Sequence, residues 1–559
     1  MMSSKNYKVL RDILSKSRTV NASSEITYLV IYSFLYKYCS DLLKDYFLMV
    51  TREKEITLSE AYSDEFMSHD LERDAINMFG YHIINPDAFI DEVINEHYSD
   101  RFFIYPFFNS FSENIIFDEG SNYEKYFRFI FDAIKSQINI NKFEYEGENH
   151  LIVKDIVYSI SRLDVFEEEF PYEKVFDRVC QSRLIDIDDN PDYITQLLTV
   201  LALATKDEIQ DVYSPFLNDA SSLIRLIGNY NFTGGKVYAK GQDLTSYCCS
   251  LIKLYMHNVD LDSVFAEFGS QFELIQSNAQ FDVIVSRIPP FSSRRVRKLN
   301  KHQAVELEKQ NRMKEIQSLL SSEMNVNEDS LMEDRSVKMA LEKLVDKLEF
   351  EDASRPKFYG EYASLEKSEY LFLINLINRL KRDGVMIVSL SQSFLFKNTL
   401  QTLRKYLTVE MNCIDCVISL PDDISRKSRS EIIIVFKINR NRDDIVFIDM
   451  SKNYATQKSS HLVPGLFRRN LVFDDKTLNE IVNVYRKHMP VDKFSNVVRI
   501  DEIVKNDFNM SISRYVDTFE GEFVHLRDLE HEKEKIDIEL DDLTQKIDKM
   551  MRDLNLKVR

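Results

Sequence analysis

The sequence predicts an α/β protein of the doubly wound type, with a helical N-terminal domain, a charged helical insertion and a C-terminal helical arm. Three observations predict it. Between residues 209 and 448, short apolar runs rich in β-branched residues alternate with helical segments, the pattern of a largely parallel sheet. The first 165 residues repeat aromatic and aliphatic side chains at helical spacing. From about residue 520 the apolar residues fall on a 3-4 spacing among charges.

The chain has 559 residues, enough for several domains and a sizeable core. With 44% hydrophobic and 29% charged residues it is neither collagenous nor low-complexity. Its six cysteines have no framework spacing, which fits a reducing compartment. No stretch has the pattern of a signal peptide, and Ile26 to Tyr36 is too short to span a bilayer. The expected location is therefore cytoplasmic. A net charge of −19 excludes a surface that is basic all round, so any nucleic-acid contact must come from a local patch. Only twelve residues are glycine, so few positions suit a tight backbone turn around a phosphate.

Residues 1–165 read as the helical domain, through Tyr28, Ile31, Tyr32, Leu35 and Tyr36, then Leu71 to Phe79 and Tyr123 to Ile138. Residues 166–517 read as the α/β domain. Helices are expected at Tyr172 to Arg183, Ile194 to Ala204, Ser221 to Ile227 and Tyr247 to His257. Strands are expected at Ile209 to Tyr213, Lys236 to Ala239, Phe281 to Val285, Val385 to Leu390, Cys416 to Leu420, Ile432 to Lys437 and Ile445 to Ile448. Ligands of such sheets sit beyond the carboxyl ends of the strands. Residues 292–358 are dense in Lys, Arg, Glu, Asp and Gln and read as the helical insertion. In residues 518–559, the seam of Leu529, Ile536, Leu540, Leu543, Ile547, Met550 and Leu554 is broken only by Lys533. That is a coiled-coil-like face for a helical partner or for a helix of the same chain.

Two clusters invite a chemical reading. Arg287, Arg294, Arg295, Arg297, Lys298 and Lys301 form the densest basic run of an acidic protein. They are phosphate-contact candidates, or else a solvated helix face paired with Glu306 and Glu308. Cys413 and Cys416 form a lone CxxC; without a second pair or histidines at ligand spacing, no metal is assigned.

The segment FDVIVSRIPPF, residues 281–291, resembles the catalytic strand end of amino-N6 DNA methyltransferases. In that family the loop is Asn or Asp, Pro, Pro, Phe or Tyr; its polar residue and prolyl carbonyl accept hydrogen bonds from the target amine, and its ring stacks on a flipped base. The order of further pieces resembles the modification subunit of type I restriction-modification systems. These are KVYAKGQD (236–243), LINRLKRDGVMIVSL (376–390), CVISLPDDI (416–424), EIIIVFKI (431–438) and NDFNMSISRYVD (506–517). The resemblance implies a Rossmann-like methyltransferase sheet, the cofactor S-adenosylmethionine, DNA as substrate and C-terminal helices that pack on a specificity subunit or another modification subunit. It implies Asp243 as the ribose ligand and Ser286, Pro289, Pro290 and Phe291 as the catalytic loop.

The departures fall on the chemistry. Ile288 stands before Pro289 where an acceptor is expected, Arg287 is donor-only, and Ser286 sits two residues too far back. The loop after the first strand, DVYSPFLNDASSL at 211–223, has no glycine. Asp188-Asp189-Asn190-Pro191 replaces an aromatic entry element, and Ser270 an acidic adenine ligand. The expectation is a catalytically inactive relative, DNA-contacting or scaffolding within a restriction-modification or phage-defence complex, with no cofactor. Two alternatives stay open: an active adenine-N6 methyltransferase in which Ser286 or Asn218 supplies the acceptor, and a protein–protein adaptor without DNA binding.

Overall fold

The computed structural model describes residues 4–16, 24–99, 103–138, 148–182, 184–185, 187, 192–206, 208–229, 235–269, 279–288, 368–421, 430–451, 455–456, 471–517 and 526–553. The insertion 292–358 lies outside them.

The N-terminal elements are α1 (Lys5–Lys16), α2 (Ser24–Glu53), α3 (Leu58–Ser63), α4 (Glu65–Phe79), β1 (Tyr81–Ile83), α5 (Ile90–His97), α6 (Ile104–Asn114), β2 (Ile115–Phe117), α7 (Asn122–Gln137), α8 (Glu148–Ser161) and α9 (Tyr172–Cys180). The sequence reading foresaw a mostly helical region, with helical runs that fall on α2, α4 and α7, but not the small antiparallel β1–β2 pair. Helix α2 is apolar on nearly every face, and accordingly Leu29, Ile31, Tyr32, Phe34, Leu35 and Tyr36 are all buried. Its tyrosines bring large rings with one polar tip. Tyr36 Oη donates to the Ala88 carbonyl at 2.6 Å and Tyr38 Oη to that of Met256 at 3.1 Å. A side chain at Gly80, which caps α4 at φ 81°, would meet the Tyr123 ring at 2.3 Å, so glycine is required there.

The α/β region follows as α10 (Asp192–Thr205), β3 (Asp211–Ser214), α11 (Ser221–Asn229), β4 (Lys236–Gly241), α12 (Leu244–Met256), β5 (Val264–Phe268), β6 (Phe281–Arg287), α13 (Ser368–Ile377), β7 (Leu380–Ser391), α14 (Gln401–Lys405), β8 (Ile414–Ser419), β9 (Glu431–Lys437) and β10 (Asp444–Ile448). Then come β11 (Ala455–Thr456), β12 (Leu471–Val472), α15 (Asp475–Lys487), β13 (Ser495–Arg499), α16 (Ile500–Lys505) and α17 (Leu526–Asp553). Nine strands form one sheet in the order β13-β10-β8-β9-β7-β6-β3-β4-β5. The run β7-β6-β3-β4-β5 is parallel, whereas β9 is antiparallel to both β7 and β8, and β13 to β10. The doubly wound sheet is therefore as expected, with two reversed strands that apolar runs alone cannot reveal.

Strand order reverses between β3 and β6, so a crevice opens at their carboxyl ends. The opposite ends are stapled by charge. Asp282 at the start of β6 accepts from Lys206 at 2.8 Å, from Lys381 at 2.9 Å and from the amides of Gln210 and Asp211. Burial opposes ionisation, but these donors hold the Asp282 carboxyl well below the usual range. Lys206 directly follows α10, so that helix runs antiparallel to β6 and its first turn lies at the crevice end.

Candidate functional site

Three strand ends build the crevice. After β3 the chain turns through 215–220, anchored by the Leu217 amide, which donates to the Lys240 carbonyl at 2.8 Å. Pro215, Phe216 and Leu217 are buried. Asp219 is buried too and accepts from both the amide and the hydroxyl of Ser221, at 3.2 and 2.7 Å. It thereby takes up a donor at the start of α11. Behind it, buried Lys253 pairs with Asp177 at 2.7 Å; burial pulls its pKa down, but Asp177 and Asp219 hold it above the ordinary lysine value. Ala220 has φ 58°, the left-handed region that favours glycine.

At the end of β4, exposed Asp243 caps α12: its Oδ2 accepts from the Ser246 amide at 2.9 Å. Gly241 is held close to Tyr247, whose ring a Cβ would meet at 2.4 Å.

The end of β6 differs from expectation. Arg287 is not a solvent-facing phosphate contact: it is 4% exposed and paired with Glu431, 9% exposed. The guanidinium approaches the carboxylate at 2.8 Å through Nη2 and 3.1 Å through Nε, and Ser389 donates to the same carboxylate at 2.7 Å. The physical reason is alternation along the strand. Val283, Val285 and Arg287 share one face and Ile284, Ser286 and Ile288 the other, and both faces of this central strand are covered. Ile288 is buried, its amide donating to the Ser389 carbonyl at 3.1 Å. Ser286 is buried, and its hydroxyl has no hydrogen-bond partner among the described residues; the same holds for Asn218 Nδ2.

Glu431 and Ser389 were not among the sequence candidates. The signal was a lone acid opening the apolar run EIIIVFK, whose antiparallel course brings its first residue to the last residues of β6. Pro289, Pro290, Phe291, Arg294, Arg295, Arg297, Lys298, Lys301, Ser270 and 188–191 lie outside the described residues. Cys413 and Cys416 are buried, and no cluster of metal-ligating side chains occurs among the described residues. None of the described helices is long and apolar enough to cross a membrane.

Residues 325–522, which include β7 to β10, β13 and the 506–517 segment, match the model of the N-6 DNA methylase family. Over those residues the chain is similar to that family. Among curated proteins, the chain is 23% identical over 382 residues to the type I restriction enzyme MpnII methylase subunit of Mycoplasma pneumoniae, covering 66% of this chain and 60% of that one. It is 30% identical over 142 residues to the MjaVIII methylase subunit of Methanocaldococcus jannaschii, 24% of this chain and 23% of that one. It thus spans less than two thirds of the length of either relative. Its fold is similar to that of the type I restriction-modification methyltransferase subunit from Streptococcus thermophilus, with TM-score 0.64, 19% identity and coverage of 92% and 99% of the two chains. A modification subunit of a type I restriction enzyme from Vibrio vulnificus follows at TM-score 0.52 and 11% identity, over 89% and 92%. The family match lies downstream of both the β3–α11 loop and the end of β6.

Proposed function

We propose that this chain is a non-catalytic relative of a type I methylase subunit, a cytoplasmic DNA-contacting or scaffolding component of a restriction-modification or phage-defence complex. The carrying observation is the buried Arg287–Glu431 pair beside Ile288. Where the family resemblance calls for a side-chain acceptor, the strand end offers a donor-only guanidinium already neutralised, then an aliphatic side chain.

The crevice residues do not fit S-adenosylmethionine either. The loop carries side chains throughout, Ala220 occupies a glycine conformation with its Cβ in place, and Asp219 takes up the Ser221 amide and hydroxyl. Asp243, the one preserved candidate, caps α12 with Oδ2. DNA is held instead by the basic run Arg294, Arg295, Arg297, Lys298 and Lys301, and a helical partner by 526–554. The test is transfer of labelled methyl groups from S-adenosylmethionine to DNA. No transfer above background is expected; transfer that Phe291→Ala abolishes overturns the reading.

A second reading, an active enzyme with a divergent site, is favoured by one observation. The Ser286 hydroxyl is buried and unpartnered, and so keeps acceptor capacity. Calorimetric titration with S-adenosylmethionine separates the two. Micromolar binding, together with methyl transfer lost in Ser286→Ala, establishes the second reading, and absence of binding at millimolar cofactor ends it.

A further inference from the structure

The chain leaves β7 at the carboxyl end of the sheet through a 3-10 turn, Gln392–Leu395. This turn starts beside the end of β6, where the Ile288 amide meets the Ser389 carbonyl. It is clamped from behind. Arg404 is only 1% exposed, and its guanidinium donates to the carbonyls of Phe394 and Lys397, each at 2.9 Å, and of Phe508 at 2.6 Å. The Met510 amide donates to the Leu395 carbonyl and the Gln392 amide to that of Ser430, both at 2.9 Å. Phe394 and Leu395 are buried, whereas Phe396, which ends the turn, is 46% exposed. A buried cation held on backbone carbonyls fixes the turn, so the Phe396 ring is presented at a set place on the rim of the crevice.

Resting on the reading of this chain as DNA-contacting, we infer that Phe396 stacks on a DNA base that has left the duplex stack. Charge and composition select this occupant. Acids outnumber bases 91 to 72 over the whole chain, yet residues 384–409 contain none, the longest acid-free stretch in the sequence. Its charges are Lys397, Arg404 and Lys405. The exposed residues around the ring in sequence are Gln392, Asn398 and Thr399. A lone exposed ring is ordinary on a protein surface, and a protein partner would call for a contiguous apolar patch beside it. A nucleobase calls for one π-face, for amides within reach of its edge, and for a surface free of carboxylates that would repel its phosphates. Bases inside a duplex have both faces covered, so the ring meets one that is unpaired or extruded.

The chain has no tryptophan, so Phe396→Trp in the full chain places a single fluorescent reporter at the ring. The probes are two labelled duplexes of one sequence, fully paired or carrying one unpaired adenine. The unaltered chain and Phe396→Trp are expected to bind the second about tenfold more tightly, and the tryptophan emission to be quenched on binding. Phe396→Leu keeps apolar bulk without the ring and is expected to lose that preference, with the salt dependence of binding unchanged. Equal affinity of the unaltered chain for the two duplexes overturns the inference. So does unquenched emission from DNA-bound Phe396→Trp, or a preference that survives Phe396→Leu. The DNA-contacting reading itself fails, and the inference with it, when the unaltered chain shows no salt-dependent binding to either duplex.

Discussion

Asp282 and Glu431 each open an apolar strand, and their different partners make different demands on stability. Asp282 has its carboxyl pKa depressed in the folded chain, so its contribution is full above the unfolded aspartate value of about 4 and is lost as pH falls towards the folded value. Asp282→Asn is expected to lower stability at pH 7 by about 2–4 kcal/mol, because Lys206 and Lys381 lose their shared anion. It should also flatten the acid limb of a urea-unfolding series between pH 5 and pH 2. An acid limb as steep as that of the unaltered chain would show that Asp282 is not the titrating group. Arg287 obeys buried-pair arithmetic: Arg287→Met alone strands the Glu431 charge and costs about 3 kcal/mol, whereas Arg287→Met with Glu431→Leu regains most of it. A DNA-contacting Arg287 would give the reverse pattern, lost DNA affinity at unchanged stability. Sequence alone offered Arg287 as one more basic residue of a run, because its partner stands 144 positions away.

Among elements, what was legible depended on length and on an unbroken apolar pattern. Phe281–Arg287, Glu431–Lys437 and Asp444–Ile448 were readable as strands because each is a run of β-branched residues buried on both faces. Val264–Phe268 was missed because its five residues include Ala266 and Glu267, and the opening of β7 was hidden by Lys381, Arg382, Asp383 and Gly384. The β5 edge is settled by the helical domain. Tyr126 Oη of α7 donates to the Val264 carbonyl at 2.6 Å and accepts from the Ala266 amide at 2.8 Å, which covers part of an otherwise open edge. Tyr126→Phe leaves that buried amide unpaired and is expected to cost about 1–3 kcal/mol. Hydrogen exchange should accelerate at Ala266 more than at Val435 in the sheet centre. Equal effects at both amides would mean that the two regions open together and that the tyrosine bridge is not local. The 506–517 segment, recognised from its sequence, is tied down by an element that was not. Buried Arg404 of α14 donates to the carbonyls of Phe394, Lys397 and Phe508.

For the whole molecule, electrostatics set the terms of any contact with DNA. A chain of net charge −19 is repelled by a polyanion at long range, and binding must gather its counterion release from a few cations close together. With Arg287 withdrawn into the sheet, the run is reduced to Arg294, Arg295, Arg297, Lys298 and Lys301. Each phosphate neutralised on duplex DNA contributes about 0.9 to the slope of log affinity against log salt. Changing Arg294, Arg295 and Arg297 together to alanine is therefore expected to lower the slope by at most about 2.7, uniformly across DNA sequences, since phosphate contacts carry no base information. Arg287→Met should leave the slope unchanged. Fluorescence anisotropy with a labelled duplex at several salt concentrations measures both. A triple variant with the parent's slope would remove the basic run from the DNA reading, and an absence of salt-dependent binding in the parent chain would favour the adaptor without DNA contact.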